Sequence, residues 1–379
     1  MKEESIITLI SHLLASDFVR LGRTCGALSV NTQARRFGPL LYLLQRVAEG
    51  KRTEALLTSL PRKDLVALTA NMRQYVGTSG ELKEKPSSVR HYLDLAREIG
   101  FLARQGGFFS LTTFGKLLTT MCGSNILQPY PLGDAVCIFV LVLLLRVDFI
   151  GLRSLAAILD QGTCSLVEAR KKYYKSLIDS LSHLSEAARS EKVRRAARDR
   201  IIALKSWRKP DKYCEHLVSA RVYWFSELNL IDLIQCRGQV IISPNESGAR
   251  WFRSFTVFPV PNSESVARLA LLYGEAVVTA ADGVSCLSEE RSSNGLCGCL
   301  LGLFEAVTDD FGVQKVRSDV VAMYLLSGGL GILKTAPDAR AVSLAKTNEL
   351  HCGTWKYTLH TGSRSTQSYL VKQSVSGES

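Results

Sequence analysis

The 379-residue chain is long enough to bury about two or three ordinary hydrophobic cores. Hydrophobic residues make up 46% of it and charged residues 22%, which is ordinary globular composition and argues against long disordered regions. The formal net charge of +12 favours an anionic partner, with nucleic acid first and an acidic membrane or protein surface next. Charge alone does not decide between these partners.

The sequence predicts a cytoplasmic protein. Its first residues, Met-Lys-Glu-Glu-Ser, lack the apolar core of a signal peptide. The most apolar run, Ala135 to Leu145, is followed by Arg146 and Asp148, so we expect a buried helix and no membrane partner. The ten cysteines show no disulfide-scaffold spacing, and in a cytoplasm we expect them to be reduced thiols.

Two apolar stripes at helical spacing predict two helices near the N-terminus. The stripes consist of Ile6, Ile7, Ile10, Leu13 and Leu14, and of Leu40, Leu41, Leu43, Leu44 and Val47. We therefore expect residues 1–52 to form a helical section.

The clearest unit lies at residues 53–125. Pro86 starts a helix whose apolar residues follow a 3.6-residue rhythm. Gly100 is expected to end this helix, because glycine adopts the left-handed conformation after a helix at little cost. Two short strands joined by the turn at Gly106–Gly107 then predict a small hairpin, and Thr112 to Lys116 open a further helix.

This order of helix, turn, helix, hairpin and helix resembles the winged-helix superfamily. The resemblance is carried by Tyr92 to Leu102 (YLDLAREIGFL) and by Phe109 to Gly115 (FSLTTFG). A similar helix end recurs at Leu228 to Ile231 and at Leu330 to Leu333. The chain is therefore expected to contain three winged-helix-like units.

Hairpins are also expected after the second and third of these helix ends. A turn at Arg237–Gly238 leads to a strand at Gln239 to Ile242, and a helix follows through Trp251. Farther on, Trp355 to Leu359 and Ser368 to Lys372 flank a polar turn and predict a long hairpin.

The predicted fold class is mainly α with small β-wings, in which tandem winged-helix-like units are joined by a helical connector. The expected sections are an N-terminal helical section at 1–52, winged-helix units at 53–125, 213–258 and 259–379, and a helical basic connector at 126–212. The first helices of the second unit can lie within 133–182.

The strongest functional signal is the charge of residues 189–212, where ten Lys and Arg residues stand against three acidic residues. Basic side chains along a helix can neutralise phosphates without reading bases, although a solvated helix face has the same pattern. The candidate DNA-binding residues of this segment are Lys192, Arg194, Arg195, Arg198, Lys205, Arg208 and Lys209.

The winged-helix resemblance implies a second set of candidates, because the third helix of a DNA-binding winged helix enters the major groove. In the first unit these candidates are Arg90, His91 and Arg97, with Asp94 on the same face. The corresponding stripe of the second unit is less basic and a weaker candidate for base contacts. It consists of Lys212, His216, Ser219, Tyr223 and Glu227. Winged helices also dock proteins, and that alternative stays open for every unit.

Few residues indicate an enzyme, and the chain contains no phosphate-binding Gly-x-x-x-x-Gly-Lys-Ser/Thr motif. A zinc site can be assembled from Cys286, Cys297, Cys299, His351 and Cys352. Their spacing fits no common zinc pattern, and small buried side chains suit the apolar surroundings better. We expect no metal and no cofactor.

One loose nuclease-like pattern also occurs. Asp64 with Glu81 and Lys83 resembles the carboxylate and lysine arrangement of Mg²⁺-dependent nucleases. Such sites hold the metal between carboxylates on adjacent strands, whereas Asp64 falls on a predicted helix.

We therefore interpret the chain as a non-enzymatic subunit that binds double-stranded DNA. Tandem winged-helix chains of this size resemble the DNA-recognition parts of restriction and genome-defence (antiviral) systems, which implies a protein partner that supplies catalysis. Two alternatives stay open: a scaffold or dimerisation subunit, similar to those of chromosome-condensing complexes, and a divergent nuclease in the C-terminal third. The sequence predicts no oligomeric state.

Overall fold

The computed structural model describes residues 2–21, 34–59, 61–75, 86–123, 127–277, 295–307, 315–328, 344, 347–360 and 368–374. These residues are mostly helical, and their strands form small antiparallel sheets of two, three and four strands. The predicted fold class, mainly α with small β-wings, is confirmed.

In chain order the described helices are α1 (Lys2–Leu21), α2 (Phe37–Ala48), α3 (Glu54–Thr58), α4 (Arg62–Tyr75), α5 (Pro86–Glu98), α6 (Thr113–Cys122), α7 (Asp134–Leu159), α8 (Leu166–Ala187), α9 (Glu191–Lys205), α10 (Pro210–Glu227), α11 (Glu246–Val257), α12 (Ser263–Val277), α13 (Gly295–Val307) and α14 (Ser318–Gly328). The described strands are β1 (Leu102–Gln105), β2 (Phe108–Leu111), β3 (Cys164–Ser165), β4 (Ile231–Cys236), β5 (Gln239–Pro244), β6 (Lys315–Arg317), β7 (Glu349–Cys352), β8 (Trp355–His360) and β9 (Tyr369–Ser374).

The chain divides into two compact units. The central unit comprises Leu21–Gly133 and Leu143–Pro261, and the terminal unit comprises Met1–Arg20, Asp134–Val142 and Asn262–Ser379. The two apolar stripes predicted near the N-terminus are buried, one on α1 and the other on α2.

Module 1 is the segment from Phe37 to Cys122 of the central unit. Helix α2 packs against α5 and α6. A single antiparallel bridge joins Thr53, just before α3, to Phe108 on β2. The β1–β2 hairpin follows α5 directly, as predicted. The layout is thus a helix, a bridging residue, three helices, a hairpin and a final helix.

Module 2, from Leu143 to Val257, repeats this layout. Ser165 precedes α8 as Thr53 precedes α3, and it pairs with the second hairpin strand as Thr53 does. Each hydroxyl caps its helix by accepting a hydrogen bond from the N–H three residues later, at 3.3 Å for Thr53 and 3.2 Å for Ser165. The three strands lie in the order β3-β5-β4.

The same turn ends the helix before each hairpin. Gly100 and Asn229 have φ values of 88° and 54°. The N–H groups of Phe101 and Leu230 bond to carbonyl oxygens five residues earlier, at 2.7 and 2.9 Å. This is a Schellman-type helix end, and it confirms the prediction for Gly100.

The helix after each hairpin begins against this turn. Thr112 and Asn245 cap α6 and α11 by accepting hydrogen bonds from the N–H groups of Gly115 and Gly248, at 3.1 and 2.8 Å. A Cβ atom on either glycine would overlap the carbonyl oxygen of the residue after the turn. Glycine is therefore required for the close approach of helix and turn.

Module 3, from Gly295 to Ser374 in the terminal unit, has the same strand register. Its β6 directly precedes α14 and pairs with β9, and β8 and β9 form the antiparallel pair that the sequence predicts. In all three modules, the residue just before a helix pairs with a residue of the module's last strand. In each case the next residue along that strand is buried. The pairs are Thr53 with Phe108, Ser165 with Ile241 and Arg317 with Tyr369. Leu330 to Leu333 lie outside the described residues.

Helix α7 is longer than the apolar run that predicted it, because it continues past Arg146 to Leu159. It bends at Asp148, whose φ of −133° and ψ of 26° are not helical. By length and composition α7 can cross a membrane, with a mean hydropathy of 2.6, but 83% of that stretch is buried within the fold. A core helix of a soluble protein has this pattern.

The bend in α7 accommodates a buried ion pair. Asp148 accepts hydrogen bonds from Nη2 and Nε of Arg221 at 2.6 and 2.7 Å. Gly151 leaves room for the pair, since a Cβ there would overlap both side chains. Burial raises the pKa of Asp148 to about 6, while Arg221 opposes the shift, so the carboxyl is ionised at neutral pH.

We expect Gly248→Ala to lower the free energy of unfolding by about 1–3 kcal/mol, because the added methyl group must push α11 away from the preceding turn. Denaturant unfolding measures this change. Gly133→Ala is the matched control, since Gly133 has a φ of −65° and a Cβ there would have no described atom within 4 Å. Equal stability of Gly248→Ala and the unmodified protein would contradict this packing.

Candidate nucleic-acid interface

The basic segment at 189–212 forms α9, the loop after it and the first turn of α10. Helix α9 packs along α8, and α8 packs against α10. On α9, Ala197 and Leu204 are buried, and most of the charged side chains are exposed. The section expected to be a connector thus contributes helices to module 2.

The seven candidate residues of this segment lie at the surface. Arg194 and Arg198 share the carboxylate of Glu191, at 2.8 and 3.5 Å. The other five form no ion pair with any described residue. They are Lys192, Arg195, Lys205, Arg208 and Lys209, and all are exposed. Most of this positive charge is therefore not compensated locally, which favours contact with an anion.

The positive surface continues onto α8 through Lys171, Lys172 and Lys175, all of which are exposed. The hydroxyl of Tyr174 donates to the carbonyl oxygen of Leu204 at 3.1 Å, so this turn of α8 lies beside the end of α9. We did not predict these three lysines as candidates, because they belong to a helix of otherwise mixed charge. The "positive surface" hereafter means these lysines together with the seven candidates.

In module 1 the candidate residues lie on α5, which packs against α2 and α3. Arg90 and Arg97 are exposed and His91 is half-buried. Arg97 pairs with Asp94, one turn earlier, at 3.3 Å. The main packing partners of α5 are α2 and α3 of module 1, whereas α9 packs along α8 of module 2, so the two candidate sets belong to different modules.

Glu54 of α3 joins Arg90 to the hairpin of module 1. It binds Nε of Arg90 through one carboxylate oxygen at 2.5 Å, and its other oxygen lies 3.8 Å from Nη2 of Arg104 on β1. These residues line a shallow cleft of about 260 Å³ that also includes Leu93 and Phe109. Charge is nearly balanced here, so α5 is a weaker site for phosphate than α9.

We expected an exposed stripe on α10, the corresponding helix of the second unit. That expectation is wrong. Lys212 and His216 are exposed, but Ser219, Tyr223 and Glu227 are buried. The C-terminal half of α10 is enclosed in the central unit, so it cannot face a duplex.

Glu227 is instead the centre of a buried polar cluster. Its carboxylate accepts hydrogen bonds from Nη1 of Arg36 at 3.3 Å, from the N–H of Phe37 at 2.8 Å and from the hydroxyl of Tyr130 at 2.7 Å. The guanidinium of Arg36 also lies 4.2 Å from the centre of the Tyr223 ring. The cluster joins the end of α10 to the start of α2.

Protonation of Glu227 is coupled to folding. Burial raises its pKa from 4.5 to about 7, while Arg36 and the hydrogen bonds from Tyr130 and Phe37 oppose the shift. Because the folded-state pKa is raised, the bound proton stabilises the fold fully below about pH 4.5. That contribution is lost as the pH rises through about 7.

Two cysteines expected to be thiols form a disulfide instead. Cys297 on α13 and Cys352 on β7 are bonded, with Cα atoms 5.6 Å apart. The expectation of reduced thiols is wrong for this pair, and disulfide sulfur cannot supply thiolate ligands to zinc. Cys299 is a buried thiol whose pKa burial raises to about 11. Cys286 lies outside the described residues.

The nuclease-like pattern gains no support. Asp64 lies on α4 and accepts a hydrogen bond from the hydroxyl of Tyr42 at 2.9 Å. Glu81 and Lys83 lie outside the described residues. Within the described ranges, no group of three or more His, Cys, Asp or Glu side chains is placed to hold a metal ion.

No family model matches the chain, and neither a curated protein nor a solved structure is significantly similar to it. The function must therefore be inferred from the residues themselves. The buried carboxylates Asp148 and Glu227 are enclosed and bonded to arginines, so they suit structural roles. The positive surface is open and chemically suited to hold phosphate groups.

We expect Arg36→Met to lower the free energy of unfolding by about 3–5 kcal/mol at pH 8, because it strands the Glu227 carboxylate without its cation. At pH 5 the loss should be smaller, since Glu227 then binds a proton and no charge is stranded. Guanidinium chloride unfolding at both pH values measures the difference. Arg35→Met, at a half-buried neighbour, is the control and should show no such dependence. A pH-independent loss for Arg36→Met would rule out proton uptake by Glu227.

Proposed function

We propose that the chain is a non-enzymatic subunit that binds double-stranded DNA through winged-helix modules 1 and 2. The observation that carries the proposal is the uncompensated positive surface on α8 and α9. It belongs to a module in which a helix leads through a tight turn into a β-hairpin. In DNA-binding winged helices, the helix before the hairpin faces the duplex. In module 2 the C-terminal half of that helix, α10, is buried, so the proposal places the phosphate contact on α8 and α9 instead.

In this proposal the positive surface binds phosphates and does not read sequence. Long, flexible lysine and arginine side chains without fixed partners suit phosphate oxygens, which are the same along any duplex. The N-terminal half of α10 extends the contact, because Lys212 and His216 remain exposed.

Sequence preference, in the same proposal, comes from module 1. Arg90, His91 and Arg97 lie on the helix that precedes its hairpin. Arginine can bond to guanine through two donors, but Arg90 must then leave or share Glu54. This exchange lowers the net gain from each base contact, so we expect the preference to be modest.

The proposal includes a protein partner that supplies catalysis and a cytoplasmic setting, in which the Cys297–Cys352 disulfide is an uncommon feature. By resemblance to tandem winged-helix subunits, a genome-defence assembly is the setting we favour.

A scaffold is the second candidate function, and the hairpins favour it. Phe108 on β2 is 58% exposed, and Ile234 on β4 is 52% exposed. Apolar side chains on the wings suit a protein contact better than a phosphate backbone. The two functions are compatible in one chain, with DNA on α8 and α9 and a protein on the hairpins.

We expect purified protein to bind duplex DNA with log affinity falling linearly with log salt, at a slope of about −4 to −5 if about five phosphates are contacted. Changing Arg194, Arg195 and Arg198 together to Gln should weaken binding to all sequences by a similar factor and flatten the slope by about 2 to 3 units. The control changes Arg250 and Arg253, exposed on α11, to Gln. Binding at low salt no better than that of an acidic protein of equal size would refute the proposal.

Substitutions on α5 and on the hairpins should separate the two functions. Arg90→Ala or Arg97→Ala should cost about 1–3 kcal/mol at a selected DNA site and much less on random DNA. Phe108→Ser with Ile234→Ser should leave DNA binding unchanged and reduce self-association measured by light scattering. If the α5 variants instead keep full DNA affinity and lose self-association, module 1 is a protein-docking module.

A further inference from the structure

Three aromatic rings lie together within the positive surface. The centroid of the Trp207 ring is 4.9 Å from that of Tyr213 on α10 and 6.3 Å from that of Tyr174 on α8. Tyr213 is 52% exposed and Trp207 is half-buried. We call Tyr174, Trp207 and Tyr213 the aromatic cluster.

Cationic side chains flank the cluster on each element that contributes a ring. The exposed cations nearest to the rings in the chain are Lys171, Lys172, Lys175, Lys205, Arg208, Lys209 and Lys212. Between residues 205 and 213 Asp211 is the single acidic residue, and nearby Glu215 is paired with Arg170 at 3.6 Å. The rings are therefore set in a strongly positive field.

Rings of this size are usually buried, because burial removes a large apolar area from water. Here two adjacent rings stay partly open to solvent. Among the described residues, neither the Trp207 indole N–H nor the Tyr213 hydroxyl has a hydrogen-bond partner. The fold thus leaves part of each ring and two polar groups accessible to a ligand.

Cations beside open aromatic faces match the chemistry of single-stranded nucleic acid. The bases stack on the rings, and the cations hold the phosphates on either side. A continuous duplex keeps its base faces stacked inside, so only an unpaired base or a strand end can reach the rings.

We propose that Trp207 and Tyr213 form a stacking site for an unpaired nucleobase, so that the protein prefers duplex DNA with a single-stranded extension to blunt duplex. This inference rests on the proposed DNA-binding function, because the same cations bring the phosphates to the site. It adds a structural specificity that does not depend on base sequence.

The test compares a blunt duplex with the same duplex carrying a single-stranded thymidine extension, by fluorescence anisotropy. The unmodified protein should bind the extended duplex about tenfold more tightly, as expected for stacking of one base. Trp207→Leu keeps an apolar side chain without a π-face. It should abolish this preference and leave affinity for the blunt duplex within about twofold. Trp207→Phe should restore part of the preference, and Ile202→Ala, an exposed apolar residue of α9, should leave it intact.

Each outcome is decisive. Equal affinity for the two duplexes, or a preference that survives Trp207→Leu, overturns the stacking site and leaves DNA binding standing. Failure to bind either duplex overturns both proposals. If Trp207→Leu does not fold, as judged by circular dichroism, Tyr213→Leu replaces it, because this more exposed ring contributes less to packing. Tyr213→Leu should likewise abolish the preference, and its persistence would overturn the site.

Discussion

The buried carboxylate of Glu227 is the constraint on which the central unit depends. A charge removed from water costs several kcal/mol unless nearby donors replace its hydration. Arg36, the N–H of Phe37 and Tyr130 supply these donors at 2.7 to 3.3 Å. Because the carboxylate and its donors come from three separate stretches of the chain, satisfying this one group fixes the end of α10, the start of α2 and the segment after α6. The stacked rings of Phe37 and Trp224, with centroids 6.3 Å apart, add apolar contact beside the charge.

This constraint explains why two modules of the same layout offer different surfaces. In module 1 the helix before the hairpin, α5, keeps Arg90 and Arg97 at the surface. In module 2 the corresponding helix is α10. Its Arg221 is buried against Asp148, and its Glu227 is buried against Arg36. The C-terminal half of α10 is therefore part of the core. In the proposed function, the anion is therefore bound by α8 and α9, the earlier helices of module 2, where most of the exposed cations have no ion-pair partner among the described residues.

The parts of the fold that the sequence predicts are those with local causes. Gly100, the hairpins and their following helices depend on residues within one turn or one strand of each other. Glu98 and Glu227 occupy the same place before that turn, yet Glu98 is exposed and Glu227 is buried. The difference arises from Arg36, 191 residues away in the chain, which no local pattern reports. One signal was available: α10 is apolar on several faces near Trp224, and a helix apolar all round is buried. The disulfide between Cys297 and Cys352 likewise depends on packing across 55 residues.

The shared register also shows where modules 1 and 2 diverge. Modules 1 and 2 agree in the capping residue before the first internal helix, in the turn after the last one and in the glycine beyond the hairpin. They differ in the helix that follows the capping residue, which has 5 residues in α3 and 22 in α8. The added length gives α9 a helix to pack along and brings Tyr174 against Trp207, with Lys171, Lys172 and Lys175 exposed next to Tyr174 in the chain. The extension also adds to the core, because Tyr173, Leu177 and Leu181 of α8 are buried, but this packing does not explain the lysines that α8 exposes. Under the proposed function, the exposed cations and aromatic rings of this extension are the groups that bind a nucleic acid strand.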